Sequence, residues 1–347
     1  MSADLAAPTP TRRRRRKKQD AGGARAAARR PGLITGVALT VAVLACAGFV
    51  LVDLPGAWEY ALRLRLRTVA ALVLVAVAVA VSTVLFQTVT ANRILTPGLM
   101  GFDALYLLVQ TAVVFFAGAG ALGGAAGGGI AGSLLWLVEV GVMVVLITAL
   151  SRWLLLGARR DLQIVVLVGV VVGTLLRSVT TILQRMLDPA SFAVLQDSFF
   201  ASFGTVEEDL LTISAVVVLA TLAVLLAFRH VFDVLALGRE AATSLGVDHR
   251  RAVLWVMVAV AVLVSVSTAL VGPITFFGLL VANLAYVAVG HAHRWSIPAA
   301  SAFAVITLVV GQWLLDRVFD FGTGLSIIIE LGGGVLFLAL LLGRARL

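Results

Sequence analysis

The chain has 347 residues, of which 61% are hydrophobic and only 13% charged. Soluble domains carry about 25% charged residues, so this composition excludes a water-soluble globular protein and implies a chain that crosses a membrane many times. The net charge is +9 and there is a single cysteine, Cys46, which excludes an intrachain disulfide and a thiolate metal cluster.

Most of the charge lies at the start. Arg12 to Arg16, Lys17, Lys18, Arg25, Arg29 and Arg30 stand against only Asp4 and Asp20. Charge blocks of this kind read as disordered arms. Residues 1–32 are therefore expected to be a disordered basic cytosolic tail beside anionic membrane lipid, which attracts it by about 1 kcal/mol per basic residue. No nucleic-acid partner is expected. Val43-Leu44-Ala45-Cys46 has a faint likeness to a lipoprotein cleavage box, but the apolar run continues past it, so neither lipidation nor signal cleavage is expected.

A membrane span needs about 20 predominantly apolar residues. Ten such runs follow, at about 33–52, 68–86, 98–118, 130–150, 162–180, 210–228, 252–271, 274–290, 296–315 and 323–342. They make residues 33–347 one all-α, polytopic transmembrane domain. Gly272-Pro273 would turn the chain between the seventh and eighth spans. Such breaks survive at membrane depth only where protein or a polar cavity satisfies the backbone, which favours a packed permease over a simple anchor.

With the tail inside, 21 basic residues fall on the cytosolic side and 6 on the outer side. The positive-inside rule is then obeyed and both termini are cytosolic. The outer segments are acidic, with Asp53, Glu59, Asp188, Asp197, Glu207, Glu208, Asp209, Asp316 and Asp320. Gly118 to Gly132 is a Gly/Ala-rich outer connection. Between Arg177 and Asp209, Phe192, Val194, Leu195, Phe199, Phe200 and Phe203 predict a short helix lying at the outer surface.

Arg63, Arg65 and Arg67 alternate just before the second span, sharing one face if the segment is extended and spreading around it if helical. Local pairing with Asp53 and Glu59, or with headgroups, is one use for them. Asp103, Glu139 and Glu330 fall within spans, where acids face a cavity or a partner. Glu330 precedes Gly332-Gly333-Gly334, small residues that permit close helix contact. His291-x-His293 lacks the three or four ligands of a zinc site, so no metal site is expected. The only lysines are Lys17 and Lys18. A P-loop needs a lysine to reach nucleotide phosphates, so this chain is not itself an ATPase.

One polar island interrupts the apolar runs at residues 232–251. Gly238 and Gly246 are placed as left-handed C-terminal stops, and Asp248 could cap the following helix. Two short helices result, with Ala241, Ala242 and Leu245 on a small apolar face. Such a pair at a membrane surface suits docking of a cytosolic partner.

Four ordered stretches share a family likeness: Leu95-Thr96-Pro97-Gly98-Leu99-Met100-Gly101; Leu235 to Val247; Gly272-Pro273-Ile274-Thr275-Phe276-Phe277-Gly278-Leu279-Leu280-Val281-Ala282-Asn283-Leu284; and Thr323-Gly324-Leu325-Ser326-Ile327-Ile328-Ile329-Glu330-Leu331-Gly332-Gly333. Together they resemble the permease subunits of iron–siderophore ABC importers, the FecCD-like family that also imports cobalamin and haem. The resemblance covers roughly residues 60–345 and implies a type II ABC importer permease fold of about ten helices. It implies as partners two ABC ATPase subunits, an extracytoplasmic siderophore-binding protein and a second permease copy or a paralogous permease. It implies a bacterial cell membrane, with ATP and Mg²⁺ bound by the ATPase and no cofactor on this chain.

By the same resemblance, Leu235, Leu237, Gly238, Arg239, Glu240, Leu245, Gly246 and Asp248 belong to the segment that couples to the ATPase. Leu237 and Leu245 would anchor it, with Arg239 and Glu240 paired at the rim. Arg63, Arg65, Arg67 and Arg317 would dock the binding protein, although the family spacing is nearer R-x-x-R. Thr174, Arg177, Ser178 and Glu330 would line the translocation pathway; for Glu330, capping or bridging within the bundle stays open. The implied cargo is a ferric siderophore, with the catecholate type as the closest branch. Cobalamin, haem or a bare metal ion moved by the same mechanism stays open, as do an ion-coupled secondary transporter and a non-transporting scaffold.

Overall fold

The computed structural model describes residues 10–52, 58–120, 129–157, 162–204, 206–318, 328–329 and 331–335. The described backbone is a helical bundle. In chain order the helices are α1 (Pro10–Leu51), α2 (Trp58–Val89), α3 (Phe102–Ala117), α4 (Gly129–Gly157), α5 (Leu162–Arg185), α6 (Pro189–Asp197), α7 (Glu208–Ala227), α8 (Arg229–Leu235), α9 (Arg239–Ser244), α10 (His249–Val271), α11 (Phe277–Val289) and α12 (His293–Val318). Nine of the ten expected spans correspond to α1–α5, α7 and α10–α12, and the tenth lies largely outside the described residues. Residues 10–30, read from the sequence as a disordered arm, continue α1 as helix; their Ala and Arg content favours that state.

Helix α2 organises the bundle because both its sides are apolar. It packs against α1, α10, α11 and α12 and touches α7 and α8. Ala71, Leu72, Val75, Ala76 and Ala80 join one apolar cluster with α1, α11 and α12. Ala78, Val81, Leu85 and Phe86 join a second with α3, α4, α7 and α10. Small residues set the spacing, as expected where helix association rests on close packing. At Gly278 of α11 an added Cβ would stand 2.0 Å from Thr83 Oγ1 of α2. By contrast α4, α5 and α7 lie at the periphery, with about a fifth of their apolar windows buried against 72% for α2.

Two helices are too short to span alone. At 1.5 Å per residue, the 16 residues of α3 and the 13 of α11 reach roughly 24 and 20 Å, less than a hydrocarbon core of about 30 Å. Irregular backbone precedes each, and protein satisfies it. Gly98–Met100 forms a 3-10 turn before α3. Before α11, residues 272–276 are non-helical, so this span starts later than the sequence predicts. Ser202 N–H donates to Val271 O at 2.8 Å and Trp136 Nε1–H to Ala269 O at 3.1 Å. Gly272, at φ +100°, stands against Phe200 O and Ala201 Cα, with no room for a Cβ to settle without a shift.

Candidate functional site

Two ends of the bundle carry the candidate residues. One end holds the short helices α8 and α9. Its second turn follows the residue chemistry foreseen for it. Gly246 adopts φ +83°, its N–H donates to Thr243 O, and the next N–H, of Val247, reaches back to Ala242 O. This pair of bonds is a Schellman motif, which satisfies carbonyls at a helix end and needs the left-handed residue. Asp248 Oδ1 accepts from Arg251 N–H at 3.2 Å and so caps α10, and its carboxylate pairs with Arg251 Nε at 3.0 Å. Gly238 is not the left-handed stop expected: α8 is already capped at Ala236, and Gly238, at φ +88°, ψ 173°, is the N-cap of α9.

The surface of this knuckle is Leu237, Gly238, Arg239, Glu240 and the run from Thr243 to Gly246, all exposed. Leu237 and Leu245 are 63% and 62% exposed, so two leucines stand out from opposite ends of α9. Three expectations are corrected. Leu235 is buried, as is Phe232; it holds α8 to the bundle and is not offered to a partner. Ala242 is buried while Leu245 points away, so the two do not form one apolar face. Among the described residues no ion pair joins Arg239 to Glu240. Arg239 instead acts on His249, where burial and this neighbouring positive charge hold the imidazole below its ordinary range.

The opposite end gathers the start of α2, the end of α1, the start of α7 and the end of α12. Because α2 is already helical at Trp58, the three arginines spread around it. Arg63 pairs with Glu59 at 3.7 Å, both well exposed. Arg67 pairs with Glu208 of α7 at 3.1 Å. Arg65 turns inward, donating to Val52 O and Phe49 O at the end of α1 and lying within electrostatic reach of Asp316. Arg317 is exposed and stacks over Trp313 at 4.8 Å. Phe199, Phe200 and Phe203 lie in the turns and loop beyond residue 197, and the short helix expected here is α6, which carries Phe192, Val194 and Leu195. It is capped by Asp188, whose carboxyl is held below its ordinary range chiefly by hydrogen bonds from Ser191. From Arg65 to Thr88 near the far end of α2 is about 35 Å at 1.5 Å per residue, so the two ends stand on opposite sides of a membrane-thick slab.

Between them, Thr174, Arg177 and Ser178 lie exposed along α5. The hydroxyls return their protons to carbonyls one turn back, Thr174 to Val170 and Ser178 to Thr174. Glu330 lies outside the described residues. Of the other intramembrane acids, Glu139 accepts from Gln110 Nε2. Asp103 is buried at the start of α3, beside a cavity that Ser82, Thr83, Thr96, Thr268 and Thr275 also line. His291 stacks on Tyr286 at 5.1 Å. His293, the second histidine of the His291-x-His293 pair, joins three helices: it meets Asp233 of α8 at 2.6 Å and Thr88 of α2 at 2.7 Å.

The model of the FecCD transport family matches residues 33–343. The petrobactin import system permease protein YclO of Bacillus subtilis is 42% identical over 89% of this chain and 96% of its own length. The petrobactin import system permease protein FatC of Bacillus anthracis is 40% identical over 77% and 74%. Among solved structures, an inward-facing metal-chelate type ABC transporter aligns over 90% of this chain and 99% of its own, with a TM-score of 0.74 at 19% identity; at that identity the likeness speaks for the fold. With nearly the whole span-bearing region matched, this chain belongs to the FecCD transport family.

Proposed function

We propose that this chain is the transmembrane permease subunit of an ABC importer that moves a ferric siderophore, of the catecholate type, into a bacterial cell by alternating access. ABC ATPase subunits carrying ATP and Mg²⁺ engage the knuckle of α8 and α9 on the cytosolic side. An extracytoplasmic binding protein delivers cargo to the arginine-bearing end. Both termini are cytosolic, and a second permease copy or a paralogue completes the pathway.

The observation that carries this reading is the separation of two unlike surfaces by the length of α2. A small convex knuckle with two exposed leucines, Leu237 and Leu245, occupies one end. Exposed arginines occupy the other. An importer driven from one side and loaded from the other needs that division. Arg63 is the arginine best placed for docking, because its ion pair with Glu59 is exposed on both partners and such pairs are worth at most about 1 kcal/mol. Arg65 is committed to the end of α1 and serves the fold.

The pairing with a second permease is supported by α5. Its window is only 17% buried, and it exposes Arg177 in a row with Thr174, Ser178 and Thr181. A guanidinium at membrane depth needs water or a partner, which a pathway between two permeases supplies. The cargo class is supported by the two petrobactin permeases.

The test is uptake into proteoliposomes holding this permease, its cognate ATPase and its binding protein, offered ⁵⁵Fe-labelled catecholate and hydroxamate chelates, cobalamin, haem and free ferric ion. ATP-dependent accumulation of the catecholate chelate is expected. Accumulation of another cargo would replace the substrate, and accumulation driven by an ion gradient without the ATPase would replace the mechanism.

A further inference from the structure

His293 opens α12 and is only 5% exposed. Its Nδ1 lies 2.6 Å from Asp233 Oδ1 on α8, and its backbone N–H donates to the same oxygen at 3.2 Å. Its Nε2 lies 2.7 Å from Thr88 Oγ1, one residue from the end of α2. A carboxylate only accepts, so Nδ1 donates to Asp233. At the other ring nitrogen, Nε2 meets the Thr88 hydroxyl, whose oxygen also lies 2.8 Å from Val84 O. At Asp233, burial acts against the charged carboxylate, but the hydrogen bonds from His293 and the charges of His293 and His230 outweigh it and hold the carboxyl below its ordinary range. The ring of Phe232 is centred 6.1 Å from that of His293, tilted by 60°.

We propose that His293 is the joint through which displacement of the α8–α9 knuckle reaches α2 and α12, a positioning residue for transport. This inference rests on the proposed function above. Apolar contacts around a seven-residue helix such as α8 are non-directional and permit sliding. A bond anchored at both ring nitrogens fixes the register of three elements at once. Helix α2 then runs as a buried rod from Thr88 to the arginines near its start, so a movement of α8 arrives at the opposite end of the bundle. The knuckle itself contributes the contact with the ATPase, and His293 contributes what that contact moves.

The experiment uses the complete complex of permease, ATPase and binding protein in proteoliposomes, and reads three quantities: ATPase retained per permease, ATP hydrolysed, and cargo moved per ATP. The variants are Asp233→Ala, Thr88→Val, His293→Asn, which keeps a donor near the Nδ1 position, and His293→Gln, which keeps one near Nε2. Each preserves at most one end of the joint. Assembly and hydrolysis are expected to stay near native in all four, while cargo moved per ATP falls about tenfold, within the usual range of a coupling free energy between sites. The double variant Asp233→Ala/His293→Gln should be no worse than the poorer single one. A native ratio in Asp233→Ala or Thr88→Val would overturn the inference, and so would a parallel loss of assembly, hydrolysis and uptake, which marks a merely structural role. If the native complex itself shows no ATP-driven uptake, the proposed function fails, and that outcome is distinct from both.

Discussion

Replacing Gly238 by alanine tests the knuckle without touching its contacts. A Cβ at this position would meet nothing within 4 Å, so packing is unchanged and the whole effect comes from the backbone. Gly238 sits at φ +88°, ψ 173°, a region essentially closed to side-chain-bearing residues, and forcing one there costs about 1–3 kcal/mol. That range lowers the population of the native turn roughly 5- to 150-fold. The helices on either side have seven and six residues, well below the ~12–15 at which an isolated helix is even marginal. The turn therefore sets how they present Leu237 and Leu245. The assay is the affinity of the purified permease for its ATPase, alongside thermal melting of the permease alone. Affinity should fall within that range while melting of the bundle changes little. Gly141→Ala in α4, also open to space but mid-helix, is the control and should leave affinity intact. Native ATPase affinity in Gly238→Ala would refute the argument that this turn presents the docking surface.

Gly278→Ala tests the packing of α11 on α2. Its Cβ would stand 2.0 Å from Thr83 Oγ1 and 3.0 Å from Thr83 Cβ, an overpacking that costs about 1–3 kcal/mol; melting in detergent should drop, and Thr83→Ala in the same chain should restore part of it. His249 makes the knuckle sensitive to acid. Its folded-state affinity for protons lies below its unfolded one, so the unfolded state binds the proton first and stability is lost as pH falls below about 6.5. Amide protection over residues 239–249, taken relative to the intrinsic exchange rate at each pH, should be lower at pH 5.5 than at 7.5, and Arg239→Ala should weaken that dependence. Arg63→Glu should reduce association with the binding protein in a salt-dependent way, since exposed charges act largely on association rate. The same change at Arg65 should instead lower melting, because Arg65 bonds the end of α1.

Local chemistry was legible in the sequence where it depends on neighbours along the chain. Gly246 was legible as a left-handed helix end and Asp248 as an N-cap, each because the backbone there needs that residue type. The span pattern was legible for the same reason, since apolar length alone decides whether a helix can cross. Which way each residue faces was not. Leu235 and Leu237 are two positions apart, and nothing local tells which one turns toward the bundle; the buried side of α8 is chosen by α2 and α12. Likewise the alternation of Arg63, Arg65 and Arg67 means one thing on a strand and another on a helix, and α2 settles it by starting at Trp58. The joint at His293 was the least legible feature. Its partners lie 60 and 205 residues away, and only the register of α2 and α8 against α12 brings them together. Its one local signal was a histidine at the mouth of a span, just after a glycine turn, which reads equally as an interfacial residue.

On the proposed function, this chain is a gate moved by an engine it does not contain. The direct measurement is accumulation of a labelled ferric catecholate chelate in proteoliposomes made with the permease alone, with permease and ATPase, and with both plus the binding protein, each with and without ATP inside the compartment that the knuckle faces. Accumulation against a gradient is expected only in the last preparation and only with ATP. Uphill accumulation by the permease alone would contradict it.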